Sequence, residues 1–233
     1  MKLLVKIVLM TVISNAASAQ SATNLYWFRY FNQVDFKKKW SWQSEFDERR
    51  SIHPDRQRQF IMHTFVNFKT KSEVDLATGI TGSWATNTKN LIVPEIRFFQ
   101  SVTANLITIK RLAVQGRFRL EERFLHNTNT EKTELVDGYH FRFRTRYRIQ
   151  FQYGLDKNEK WSIRLSDEIM YHTDSDYWWK FDQNRFYLGA EHKFTKQLSL
   201  EIGYVLLTAN SNGQHLQSNV LRTTLYHRIN LKS

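Results

Sequence analysis

The chain has 233 residues, with 34 Lys and Arg against 22 Asp and Glu, a net charge of +12, and 15% aromatic residues beside only 8 Gly and 2 Pro. That length suits one domain, and single all-β barrels of this size are common. The absence of cysteine excludes disulfides, thiolate metal sites and a lipidated N-terminal Cys, while the basic balance makes nucleic acid and anionic membrane surfaces the partners to weigh.

In chain order, the first element is a leader. Met1, Lys2 and Lys6 form a basic region, Ile7 to Ile13 an apolar run, and Ala17-Ser18-Ala19 a small-residue cleavage site. This pattern predicts a secretory signal peptide over residues 1–19 and one β-barrel domain over 20–233. The apolar run falls short of the roughly 20 residues that a spanning helix needs, and no later stretch is longer.

From there on the apolar period is two, the mark of extended chain. Eleven segments are predicted, near 24–36, 40–50, 57–69, 73–86, 94–103, 106–125, 138–155, 160–171, 183–194, 197–208 and 216–231. Short turns at Lys37–Lys39, Lys69–Ser72, Leu155–Lys160 and Phe194–Gln197 alternate with longer polar stretches at His126–Asp137, His172–Lys180 and Ala209–His215. Tight turns on one side and long loops on the other characterise up-and-down outer-membrane barrels. Such barrels usually have an even strand count with both ends periplasmic. A barrel of 10 to 12 strands is expected, and the odd count predicts that one segment is misread, near the N-terminus or around 90–111.

The alternation is sharpest in two segments. Arg111, Ala113, Gln115, Arg117, Arg119, Glu121 and Arg123 share one face, with Leu112, Val114, Gly116, Phe118, Leu120 and Phe124 opposite. Arg142, Arg144, Arg146 and Arg148 likewise oppose Phe141, Phe143, Tyr147 and Ile149. The first of these runs 15 residues or more, well beyond the 5 or 6 usual in globular proteins. A tilted strand crosses a bilayer in about 9–11 residues. The apolar faces are therefore predicted to meet lipid and the arginines to line a lumen.

Charge type agrees. Nearly every arginine lies within or at the edge of a strand, whereas Lys37, Lys38, Lys39, Lys69, Lys71, Lys89, Lys132, Lys157, Lys160, Lys193 and Lys196 sit in turns or loops. A guanidinium is weakly hydrated and presents a planar fork to carboxylates, which suits a confined interior. Acidic partners share the polar parity: Glu45, Asp47, Glu95, Glu121, Glu168, Glu191 and Glu201. Glu95 with Arg97, and Glu121 between Arg119 and Arg123, place opposite charges two residues apart on one side, and predict an interior ladder of alternating Arg and Glu that spans neighbouring strands. Its first role is cohesion, because buried charges must be paired; its second is as a candidate anion- or solute-binding surface. Tyr26, Trp27, Phe28, Trp40, Trp42, Trp84, Trp161, Tyr177, Trp178, Trp179 and Tyr226 fall toward segment ends or in loops, where headgroup-level rings belong.

The chain resembles the bacterial outer-membrane barrel family labelled "domain of unknown function 2490". The matching features are Glu95-Ile96-Arg97 with Gln100, Arg117-x-Arg119-Leu120-Glu121-x-Arg123, Arg142-x-Arg144-x-Arg146-Tyr147-Arg148, Glu168, Asp182-Gln183-Asn184-Arg185 with Gly189, and Gly203-Tyr204. The likeness runs from about Leu25 to the end, and the Arg-x-Arg-Leu-Glu-x-Arg stretch is its most specific part. The resemblance implies an outer-membrane barrel and no particular activity.

No nucleophile elbow, His-Glu-x-x-His, phosphate loop or Cys/His metal spacing is present, so neither a cofactor nor a metal is expected. Nucleic-acid binding on a sheet needs aromatics on the charged face, and here they lie opposite. The expected partners are outer-membrane lipid, the barrel assembly machinery during biogenesis, and a small solute of unspecified chemistry. Two rivals stand beside this reading. One is an outer-membrane hydrolase using His172 with Asp174 or Asp176. The other is a soluble periplasmic barrel with an apolar ligand in its core.

Overall fold

A computed structural model describes residues 23–36, 39–70, 72, 74–158, 160–173, 179–211 and 214–231. The predicted leader lies outside these residues. The eleven strands are β1 (Thr23–Asp35), β2 (Trp40–Ser51), β3 (Arg56–Lys69), β4 (Val74–Thr86), β5 (Ile92–Ile109), β6 (Leu112–Thr128), β7 (Leu135–Gly154), β8 (Trp161–His172), β9 (Lys180–Lys193), β10 (Leu198–Ser211) and β11 (Gln214–Asn230). Each pairs antiparallel with the next, and β1 closes on β11 to complete a barrel.

That closure is parallel, with Thr23 opposite Ser218 and Asp35 opposite Asn230. An odd number of up-and-down strands leaves the first and last running the same way, so no other closure is available. The expectation of a misread segment is thereby corrected: all eleven are strands. As a consequence, β1 begins at one rim and β11 ends at the other. The seam is fastened by side chains, with Tyr30 Oη 2.9 Å from His227 Nδ1 and Phe31 edge-on to Tyr226 at 5.4 Å.

Three further expectations change. The connections on the two rims, at 36–39, 70–73, 110–111, 155–160 and 194–197 on one and 52–55, 87–91, 129–134, 173–179 and 212–213 on the other, do not separate by length. Two of the polar stretches read as long loops are partly strand, β6 and β7 reaching into His126–Asp137 and β10 and β11 into Ala209–His215. Over His126–Asp137, β6 and β7 continue as a hairpin whose end is held by the Asn129 side chain, accepting from Thr133 N at 2.9 Å. The β5–β6 turn lies at Lys110-Arg111, so Arg111 belongs to a turn and not to a lumen face, donating to the Leu155 carbonyl at 3.2 Å. Asn105, which looked like the break between these strands, lies at a register shift between Asn105 and Ile107, a bulge that bends the strand without ending it.

Period two holds around the ring. Phe28, Ile80, Phe98, Tyr147, Leu188 and Ile202 point outward and are 40–51% exposed. Asp47, Glu95, Arg97, Arg119, Glu121, Arg144, Arg146, Glu168, Glu191 and Glu201 point inward and are buried. The described lysines occupy turns or the terminal residues of strands, Lys69, Lys180 and Lys193 among them. At the 155–160 turn, the Trp161 and Lys160 backbone N–H groups donate to the Asp156 carboxylate at 2.8 and 3.2 Å and hold it below the usual carboxylate range.

Candidate functional site: a charged lumen

The inward face of each strand contributes one row of side chains, and register decides which rows meet. Arg97 lies opposite Arg123, and Arg119 and Arg117 lie opposite Arg146 and Arg148. Like charges placed directly across a ladder repel, so these rows are stable only with carboxylates between them. Glu95 accepts from Arg97 Nε and Nη2, each at 2.7 Å, and also from Arg123. Glu121 accepts from Arg144 and from Arg146 at 2.8 Å. Glu168 accepts from Arg146 at 2.7 Å and from Arg117. Glu95 thus bridges Arg97 and Arg123 across β5 and β6, Glu168 bridges Arg117 and Arg146 across β6 and β7, and Glu121 ties β6 to two arginines of β7.

The ladder spans neighbouring strands, but the neighbours two residues apart on one strand do not all pair. Arg97 does pair with Glu95 on its own strand. Glu121, however, lies 3.9 Å from Arg119 and gives its oxygens to β7, while Arg123 turns to Glu95. Arg142 lies opposite Arg123, toward the rim, and is only half-buried. Arg148 and Arg185 flank Glu168 in register, and Arg185 reaches Gln183 Oε1 at 3.5 Å.

A second cluster covers β8 to β11, β1 and β2. Glu201, fully buried, accepts from Tyr187 Oη at 2.6 Å, from Arg222 at 3.0 Å and from Arg164. Arg164 also donates to Glu191 at 3.1 Å. Arg49 pairs with Asp47 at 2.7 Å and Arg29 with Glu45 at 3.6 Å. Arg29, Arg49, Arg164, Arg222 and Asp182 were missed as ladder members; their polar parity was the available signal, but each stands without an Arg-x-Arg run to draw attention.

Aromatics enter the lumen as well, which corrects two rim assignments. Trp27, 4% exposed, lies between two guanidiniums, Arg49 at 4.1 Å and Arg185 at 5.2 Å from its ring centre. Tyr226 is buried beside Arg29 and Arg164. Arg222 stacks on Tyr187 at 3.7 Å and Arg119 on Phe99 at 4.1 Å. Trp40, Trp42, Trp84, Trp161 and Trp179 are exposed and lie toward strand ends or in a connection, as expected. Tyr177 and Trp178 lie outside the described residues.

The space left by these side chains is a cavity of about 690 Å³, within the range of small-molecule sites. Arg97, Arg117, Arg119, Arg123, Arg144, Arg146, Arg148, Glu168 and Arg185 all line it. His63 faces it too, with Nδ1 2.6 Å from Thr81 Oγ1, the placement of a hydrogen-bonded interior histidine. Of the hydrolase candidates, His172 lies 3.7 Å from Asp182, a carboxylate already engaged by Arg144 at 3.3 Å. Asp174 and Asp176 lie outside the described residues.

Fold and site together define a closed, eleven-stranded β-barrel with a charged, arginine-rich lumen. The family model described as "Protein of unknown function (DUF2490)" matches residues 24–230, and the chain belongs to that family. A comparison with curated proteins found no match.

Proposed function

We propose that the protein is an outer-membrane β-barrel, exported through a signal peptide cleaved after Ala19, whose lumen is closed to free diffusion of large solutes. The observation that carries this reading is the division of faces: apolar rings and aliphatic side chains outward, guanidinium–carboxylate pairs inward. In water, the outward belt would be an apolar surface far larger than soluble monomers expose. In lipid it is solvated, and the polar lumen is the only place for so much charge. Outer-membrane lipid and the barrel assembly machinery are the partners that follow. The soluble rival with an apolar ligand fits poorly, because the cavity wall is dominated by arginine.

Barrel diameter grows with strand number, and open aqueous channels appear at about 16–18 strands. Eleven strands filled by long ion-paired side chains favour a narrow or sealed passage, anion-preferring wherever it conducts. Cell fractionation tests the location: the protein should be found with the outer membrane and run as a heat-modifiable band in detergent gels. A soluble periplasmic pool without that mobility shift would contradict it. Planar-bilayer recordings test the passage. Small, anion-preferring currents or none are expected, and large cation-selective steps would overturn it.

A further inference from the structure

We infer that Arg119, Arg148 and Arg185 form an oxyanion site in the lumen, which takes a small, multiply charged anion through phosphate or carboxylate oxygens. The inference deepens the reading of the lumen as an enclosed polar chamber and rests on it.

The argument is one of charge matching. Across β6 to β9, Arg117, Arg119, Arg144, Arg146, Arg148 and Arg185 face the lumen around Glu121 and Glu168, with Asp182 beside them. These carboxylates are already engaged. Glu121 is taken by Arg144 and Arg146, Glu168 by Arg146 and Arg117, and Asp182 by Arg144.

Three guanidiniums are left over. Arg119 approaches Glu121 only to 3.9 Å, although its side chain is 8% exposed, and its buried Nε has no acceptor. Arg185 reaches a neutral amide at 3.5 Å, and its buried Nε is likewise without an acceptor. Among the described residues Arg148 makes no hydrogen bond or ion pair, and its register neighbours are Arg117 and Glu168.

Arg119 lies over the Phe99 ring at 4.1 Å from its centre and Arg185 over the Trp27 ring at 5.2 Å, contacts that do not neutralise them. Arg119 is 7% exposed, and a buried charge is costly unless countered. All three side chains border the same cavity of about 690 Å³, which leaves room for the missing counter-charge. The planar fork of a guanidinium matches phosphate and carboxylate oxygens in pairs. An apolar or cationic occupant would leave these donors unmet.

The test is calorimetric titration of the folded, detergent-solubilised full chain with sodium pyrophosphate and, separately, with sodium citrate, at low fixed ionic strength and with chloride as reference. Saturable one-to-one binding of pyrophosphate or citrate is expected, and the tighter of the two identifies the phosphate or carboxylate preference. Arg119→Gln, Arg148→Gln and Arg185→Gln should each weaken binding about tenfold or more, whereas Lys132→Gln on a connecting turn should not. Heat-modifiable mobility reports folding of each variant. Should a Gln variant fail to fold, the Lys variant keeps the charge but loses the fork, and a tenfold weakening is expected there too. Binding that is absent, unsaturable, or unchanged in all three positions would overturn the site. Wide cation-selective conductance with binding intact would instead sink the closed-lumen reading and leave the site standing.

Discussion

Glu121 shows at the scale of one residue what holds this lumen together. It is 1% exposed and serves Arg144 and Arg146 across the strand interface. Glu121→Gln would leave those cations without their counter-charge, and breaking a buried ion pair from one side costs about 3–5 kcal/mol. Urea or thermal unfolding of the detergent-solubilised barrel should show a loss of that order, with a smaller loss for Glu48→Gln, whose carboxylate is more exposed, at 26%. Equal effects at the two positions would contradict the ladder. Many of the acidic and basic members, Glu95, Arg97, Glu121, Arg144, Arg146 and Glu168 among them, were legible from strand parity. Their pairing was not, because a partner on the next strand is set by register, which no spacing within one segment reveals. Trp27 was illegible for a related reason: a tryptophan near a strand end fits a rim, and only Arg49 and Arg185, distant in sequence, show that it belongs between guanidiniums.

At the scale of strands, period two located eleven segments but misjudged where they stop. Lys110-Arg111 turns the chain without Gly, Pro or Asn, Lys110 taking a left-handed φ of 51°, while Asn105, a residue that favours turns, lies at a bulge. Polar residues from His126 to Asp137 look like a loop since they have no apolar face, yet backbone pairing with the neighbouring strand extends both β6 and β7 into that stretch. Glycine has a clearer role within the sheet. A Cβ at Gly189 would lie 2.0 Å from Tyr187 Oη, and one at Gly203 2.4 Å from the same ring. The Tyr187 ring therefore lies flat over two glycines, its hydroxyl on Glu201. Gly189→Ala should destabilise by about 1–3 kcal/mol through overpacking. In a double-mutant cycle with Tyr187→Ala the penalties should fall clearly short of additive; strict additivity would refute the stacking.

For the whole molecule, closure by a parallel β1–β11 pair puts the start of β1 and the end of β11 on opposite rims. No local pattern could disclose this, as it follows from the parity of the strand count. The same closed ring turns alternation along each strand into an inside and an outside, and the proposed membrane role depends on what touches that outside. Because the chain lacks cysteine, single cysteines can be placed on β7 and spin-labelled in lipid vesicles. Labels at Ile149 and Phe151 should be relaxed by oxygen dissolved in the bilayer, and labels at Gln150 and Gln152 should be shielded from it. Oxygen accessibility that fails to alternate, or that favours the glutamine positions, would contradict the account.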